Sequence, residues 1–197
     1  MSERVRIKEV EVLSDDWYVL KKTTFDYRRT NGEWQTQSRE TYDRGNGATI
    51  LLYNLEQQTV ILTRQFRFPA FANGLADGLL IETAAGLLDQ ASPEARIRAE
   101  VEEETGYRVN AVEKVFEAYM SPGSVTEKLF FFVAAYEGTS RLNSGGGVAS
   151  DGEDIEVLEL SFTASLSMMK EGEIQDGKTI MLLQHAALTL FYDGDKT

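Results

Sequence analysis

The chain contains no cysteine, which removes disulfides, thiolate zinc sites and cysteine nucleophiles together. Histidine is reduced to His185, set in an apolar helical stretch with neither a second histidine nor an acidic motif at ligand spacing, so a structural role is expected of it. Proline occurs 3 times and no biased tract is present, which argues against disorder. Basic residues are outnumbered, 20 Lys and Arg against 32 Asp and Glu, giving a net charge of −12 and a pI near 4.6. That balance speaks against a broad phosphate-binding face for nucleic acid, while leaving room for a local basic patch that holds one nucleotide. No apolar run approaches the roughly 20 residues of a membrane span. The opening MSERVRIK is charged where a secretory signal would be apolar. The expectation is a cytoplasmic protein that binds neither nucleic acid nor membrane. What the chain does have is 197 residues, 42% of them hydrophobic and 10% aromatic, enough for one packed domain or one with a small extension.

Short strands are expected over 10–13, 18–27 and 34–42, with Asn31 and Gly32 as a tight hairpin turn, forming a small antiparallel sheet. Two strands follow over 48–53 and 59–67, and their near-continuous apolar runs predict a sheet buried on both faces. A short apolar segment covers 79–86. The clearest helix spans 93–105, framed by Ser92 as N-cap, Pro93 in the first turn and Gly106 just past the end. Strands over 112–119, 128–136 and 155–160 surround a Gly-rich loop at 140–152, and helices at 161–171 and 179–192 close the chain. Sheet, helix, sheet, helix in that order predicts an α+β or mixed α/β architecture with helices covering the sheet.

On the 93–105 helix, Glu100, Glu103 and Glu104 stand at i, i+3 and i+4, on one face. Like charges so placed repel by a few tenths of a kcal/mol per pair, roughly, so a positive partner is expected. A hard divalent cation prefers such oxygen ligands, and Mg²⁺ takes one or two carboxylates while substrate phosphates complete its shell. Arg96, one turn earlier, is a metal-free alternative, and a solvated acidic face is a third reading.

The surrounding sequence, GLLDQASPEARIRAEVEEETGY over 86–107, resembles the box of the Nudix hydrolases. Gly86, Glu100, Val101, Glu103, Glu104 and Gly106 match that pattern. The spacing from Gly86 to the glutamate pair is one residue shorter, Ser92 or Ala91 stands where an early Glu is usual, and Ala99 stands where Arg usually precedes Glu100. Arg96 and Arg98 are both candidates to replace that arginine. The likeness extends to RQFR at 64–67, ETAAG at 82–86, YMSPG at 119–123 and EDIEVLEL at 153–160, which are similar to the nucleoside diphosphate sugar hydrolases of the family. Pro122 lies 16 residues past Gly106, as in the ADP-ribose branch, whereas YDRGNGATILLYN at 42–54 and DGKT at 176–179 look more like the branch that takes GDP-mannose.

The resemblance implies an α/β/α sandwich with a small N-terminal antiparallel sheet, divided as a dimerising extension at 1–43 and a hydrolase domain at 44–197. It implies Mg²⁺-dependent cleavage of a nucleoside diphosphate sugar, GDP-mannose to GMP and mannose 1-phosphate, or alternatively ADP-ribose, or a weakened module that senses a nucleotide sugar without cutting it. The implied metal ligands are the Ala85 carbonyl and the side chains of Glu100, Glu104 and Glu153. Catalytic roles fall to Glu153, Glu103 and Glu104, with Asp151 and Asp154 as neighbours able to replace Glu153. Substrate contacts fall to Trp17, Ser38, Arg39, Glu40, Arg67, Ala85, Gly86, Leu87, Glu127 and Lys178, some of them lent by the second subunit of a homodimer. Without the resemblance, Trp17 reads more simply as a packed strand residue, Glu153 equally as a loop charge, and Arg67 as an ordinary strand-end charge.

Two further signals are discounted. GEIQDGKT at 172–179 has the letters of a phosphate-binding Walker A loop but is preceded by helix where that loop needs a buried strand. Met168 and Met169 are simplest as core.

Overall fold

The computed structural model describes residues 3–192; positions 1–2 and 193–197, at the outer ends of the two expected segments, lie outside the described residues. The described residues form two compact units, the first comprising 3–46 with Ala118–Leu129 and the second 47–117 with 130–192.

In the first unit β1 (Val5–Asp15), β2 (Val19–Arg28) and β3 (Trp34–Asp43) form an antiparallel sheet in that order. The β2–β3 turn closes with the Arg29 amide donating to the Glu33 carbonyl at 2.8 Å, and Gly32 supplies a positive φ of 90°. β1 begins five residues earlier than the sequence pattern suggests and is exposed along its whole length. The 121–126 segment runs beside the end of β3, where the Tyr42 amide donates to the Ser124 carbonyl and the Thr126 amide to that of Tyr42.

The second unit is an α/β/α sandwich. Its elements are β4 (Gly47–Asn54), β5 (Thr59–Phe66), α1 (Phe68–Ala72), β6 (Leu79–Glu82), β7 (Ala84–Leu87), α2 (Pro93–Glu100), β8 (Glu113–Tyr119), β9 (Lys128–Ala135), β10 (Glu156–Ser161), α3 (Phe162–Glu171) and α4 (Gly177–Thr189). Strand order is β10-β5-β4-β9-β8, with β6 on β5 and β7 on β4. Both faces of the central strands are covered, as the apolar runs predict, since Thr49, Ile50, Leu51 and Leu52 are all buried although consecutive side chains point to opposite faces. Ile50 and Leu52 join Ile97 and Val101 of the acidic helix and Phe132 in one cluster. Leu182, Leu183 and Ala186 make α4 equally buried, and α4 packs on β4 and β6.

Two local expectations, the extents of the 93–105 and 179–192 helices, are corrected, and two features go beyond the sequence reading. The helix expected over 93–105 is α-helical only to Glu100 and continues as a π-helical turn, Val101–Thr105. The segment at 79–86 is not one strand, because it leaves β5 for β4 at Thr83. The short helix α1, begun by Pro69 in its first turn, lacks the apolar periodicity that would reveal it. The last helix ends at Thr189, not 192.

Candidate active site

The acidic helix is framed as its sequence dictates. Ser92 Oγ accepts the Ala95 amide, and Gly106, at φ 75°, ends the turn in the left-handed region. The π turn between them decides which glutamates face inward. An α-helix would set i+3 and i+4 on either side of Glu100, whereas the wider turn brings Glu104 closer above it and swings Glu103 outward. Glu100 and Glu104 are 4% and 2% exposed, while Glu103 is exposed.

Two buried carboxylates a turn apart carry a large electrostatic penalty. Burial, with the charges of Glu103 and Glu153, raises the Glu100 pKa against the opposing pull of Arg96. Burial, with the charges of Glu100 and Glu153, holds the Glu104 pKa well above the ordinary carboxylate value, while Arg67 and a hydrogen bond from the Ala85 amide act in the other direction. Glu104 Oε2 is buried and has no hydrogen-bond partner. Of the two arginines that could replace the one missing at Ala99, Arg96 pairs with Glu100, while Arg98 donates to the Asn110 carbonyl at 2.9 Å. Among the described residues no three acidic or imidazole side chains stand close enough together to hold a metal ion by themselves. The donor set nevertheless fits a hard cation that brings further ligands of its own: the buried Glu100 and Glu104 both have raised pKa values, one Glu104 oxygen is unpartnered, and Ala85 brings backbone to the same spot.

β7 supplies the opposite wall. A Cβ on Gly86 would overlap the Glu100 carboxylate, so only glycine leaves room for that side chain. Leu87 ends the strand opposite Gly47.

The Gly-rich loop is tied to the π turn. The Gly146 amide donates to the Glu104 carbonyl at 2.9 Å and the Gly147 amide to the Glu103 carbonyl at 3.1 Å. These bonds satisfy carbonyls that a helix end leaves open. The Val148 amide then donates to Glu153 Oε2 at 2.8 Å, fixing that carboxylate within electrostatic reach of Glu100 and Glu104. Asp151 has its side chain outside the described residues.

Across the site, Arg67 Nε donates to Glu82 Oε2 at 2.7 Å, and Lys178 Nζ reaches Glu82 Oε1 and Asp176 Oδ1 at 2.5 and 3.0 Å. Asp176 also caps α4 by accepting the Thr179 amide. The sequence points to Arg67 and Lys178 but passes over Glu82. Its signal was a charged residue closing the apolar run Leu79, Leu80, Ile81 at a position where the sheet is buried.

The remaining expected contacts lie in the first unit. Trp17 is 81% exposed at the β1–β2 turn, edge-on to Tyr18, which excludes the packed-strand reading. Ser38, Arg39 and Glu40 line a shallow groove with Lys22. Glu127 pairs with Arg44 at 3.5 Å. His185 contacts Phe116 edge-on and Thr189, a structural position. The 172–179 segment joins α3 to α4 with no strand before it, so it is not a Walker A loop.

Two family models match this chain: the GDP-mannose pyrophosphatase NudK N-terminal domain over residues 4–42, and the NUDIX domain over residues 43–183. The chain is 59% identical over 188 residues to a GDP-mannose pyrophosphatase of Pectobacterium atrosepticum, covering 95% of this chain and 96% of the relative. It is 56% identical over 185 residues to one from Citrobacter koseri, with 94% and 96% covered. The figures for one from Escherichia coli O1:K1 are 51% over 193 residues, with 98% and 100% covered. A crystal structure of ADP compounds hydrolase shares the fold with a TM-score of 0.72 at 16% identity, covering 95% of each chain.

Proposed function

This chain belongs to the Nudix family and is a Nudix hydrolase, and we propose that it hydrolyses the pyrophosphate of a nucleoside diphosphate sugar, GDP-mannose before others, to GMP and mannose 1-phosphate with Mg²⁺. The observation that carries the chemistry is the pair of buried carboxylates Glu100 and Glu104, one oxygen of Glu104 unpartnered, with the charge of Glu153 felt at both and that of Arg67 at Glu104. The substrate rests on similarity across nearly the whole chain to relatives named for GDP-mannose, the N-terminal sheet included.

In this reading Glu100, Glu104, Glu153 and the Ala85 carbonyl hold the divalent ion, with Glu103 as a further ligand or support. Once bound, the ion offsets phosphoryl charge and acidifies a water. Arg67 offers its guanidinium to a phosphate oxygen, and Lys178 a second positive charge. Glu153 accepts the proton of the attacking water, held in place by the Val148 amide. Trp17, Ser38, Arg39, Glu40 and Glu127 serve the nucleotide and sugar, and the exposure of β1 along its whole length supports pairing of two copies, in which one chain completes the other's site.

Incubation with a panel of nucleotide sugars and Mg²⁺, with products resolved by ion-exchange chromatography, tests the proposal. GMP and mannose 1-phosphate in equal amounts, formed faster than products from ADP-ribose, are expected. Faster cleavage of ADP-ribose would move the substrate, and binding without cleavage would replace the enzyme by a sensor.

A further inference from the structure

We infer that Glu82 is a positioning residue that holds Arg67 and Lys178 together as one dication facing the substrate's diphosphate; the inference rests on the proposed reading of the site. Glu82 is 3% exposed, and its two oxygens are divided between the two cations, Oε2 to Arg67 Nε and Oε1 to Lys178 Nζ.

The backbone explains why a carboxylate stands there. Glu82 is the last residue of β6, and after Thr83 the chain changes partner from β5 to β4, so side chains at this step enter the gap between two strand pairs. Threonines fill the rest of the gap. Thr83 Oγ1 bonds Thr49 Oγ1 at 2.8 Å, and the Thr83 amide donates to Thr179 Oγ1 at 2.7 Å. Thr179 in turn donates its own hydroxyl and amide to Asp176, which also pairs with Lys178. The start of α4 is thereby pinned to the strand crossing, and the Lys178 side chain, 12% exposed, is directed at Glu82.

Arg67 spends its Nε on Glu82, and its terminal nitrogens have no protein acceptor among the described residues. The Arg67 side chain is 40% exposed and its charge is felt at Glu104, so the guanidinium held by Glu82 is within electrostatic reach of the acidic cluster. A diphosphate bound to the cluster meets a cation already oriented, which spares the ordering of a long side chain on binding. One carboxylate can bridge two cations in this way, whereas an amide offers a single acceptor oxygen and turns an N–H₂ donor against the other cation.

The test compares wild type, Glu82→Gln, Glu82→Asp, Arg67→Ala, Lys178→Ala, Arg67→Ala/Lys178→Ala and that pair with Glu82→Gln, with folding monitored by circular dichroism. Two readouts are used: KM and kcat for GDP-mannose with Mg²⁺, and GDP affinity by calorimetry. Glu82→Gln is expected to raise KM and weaken GDP binding by about ten- to a hundredfold with a smaller change in kcat, and Glu82→Asp to recover part of the loss. Adding Glu82→Gln to the double variant is expected to weaken GDP binding by less than about twofold, because Glu82 acts through those two residues. An additive loss there, or unchanged GDP binding in folded Glu82→Gln and Glu82→Asp, overturns the inference. Wild type that binds GDP in a Glu82-dependent way yet cleaves no nucleotide sugar would sink the hydrolase reading and leave the positioning role standing. Wild type that binds no GDP would sink both.

Discussion

The Glu100 carboxylate lies against the α-carbon of Gly86, in the space any side chain on residue 86 would occupy. A strand residue two layers away in sequence thus sets the position of a helical acid, and the fit leaves no tolerance. Gly86→Ala is expected to displace Glu100 by the better part of an ångström and to lower kcat/KM by about a hundredfold or more. A steady-state assay beside a thermal melt decides it; wild-type turnover in the folded variant would remove Gly86 from the site.

Glu104 gives the pH dependence. Its folded pKa is raised above the unfolded value, so above about pH 4.5 the native state holds more protons than the unfolded chain, and stability from this group falls as pH climbs towards the folded pKa. Metal-free protein is expected to melt lower at pH 8 than at pH 5.5 on this account. Glu104→Gln is expected to flatten that slope, to abolish the rise in Tm on adding Mg²⁺, and to lower turnover by several orders of magnitude while circular dichroism stays native. Melts with and without metal at the two pH values check all three.

Arg96 supplies the positive charge that the usual box arginine would have brought one position before Glu100. Arg96→Gln leaves the buried Glu100 without its partner, and a loss on the order of 2 kcal/mol is expected in metal-free protein. Mg²⁺ would compensate, so the gap in Tm between variant and wild type should close at saturating metal. Equal gaps with and without metal would mean that Arg96 and the ion do not share Glu100.

Glu153→Gln should reduce kcat far more than it raises KM, since its proton acceptance develops in the transition state. Gly147→Ala should have a milder effect of the same kind, because residue 147 adopts φ 77° and an added Cβ would stand 2.5 Å from Glu153 Oε2. Full kinetics on both, with Asp154→Asn as a comparison, test whether the loop positions the acid; a kcat collapse at Asp154 alone would transfer the role.

Much was legible in the sequence, for identifiable reasons. Ser92, Pro93 and Gly106 frame a helix by local rules of capping, and the apolar runs at 48–53 and 59–67 declare a sheet covered on both faces. The acidic pattern from Glu100 to Glu104 carries its own demand for a counter-charge. These are properties of neighbours along the chain.

What the sequence left open depends on groups far apart in it. Spacing put Glu100, Glu103 and Glu104 on one face, but the π turn, whose Glu104 and Glu103 carbonyls accept the amides of Gly146 and Gly147 respectively, buries two and exposes the third. Arg96 and Arg98 were equal candidates until Arg98 found the Asn110 carbonyl. Glu82 was one charge at the end of an apolar run until the strand switch at Thr83 brought Arg67 from 15 residues before it and Lys178 from 96 residues after it to the same carboxylate. Hydrophobic periodicity and capping act over one or two turns, so the sequence determined them. The pairing of buried charges is decided by which groups the folded chain excludes from water together, and only the tertiary structure does that.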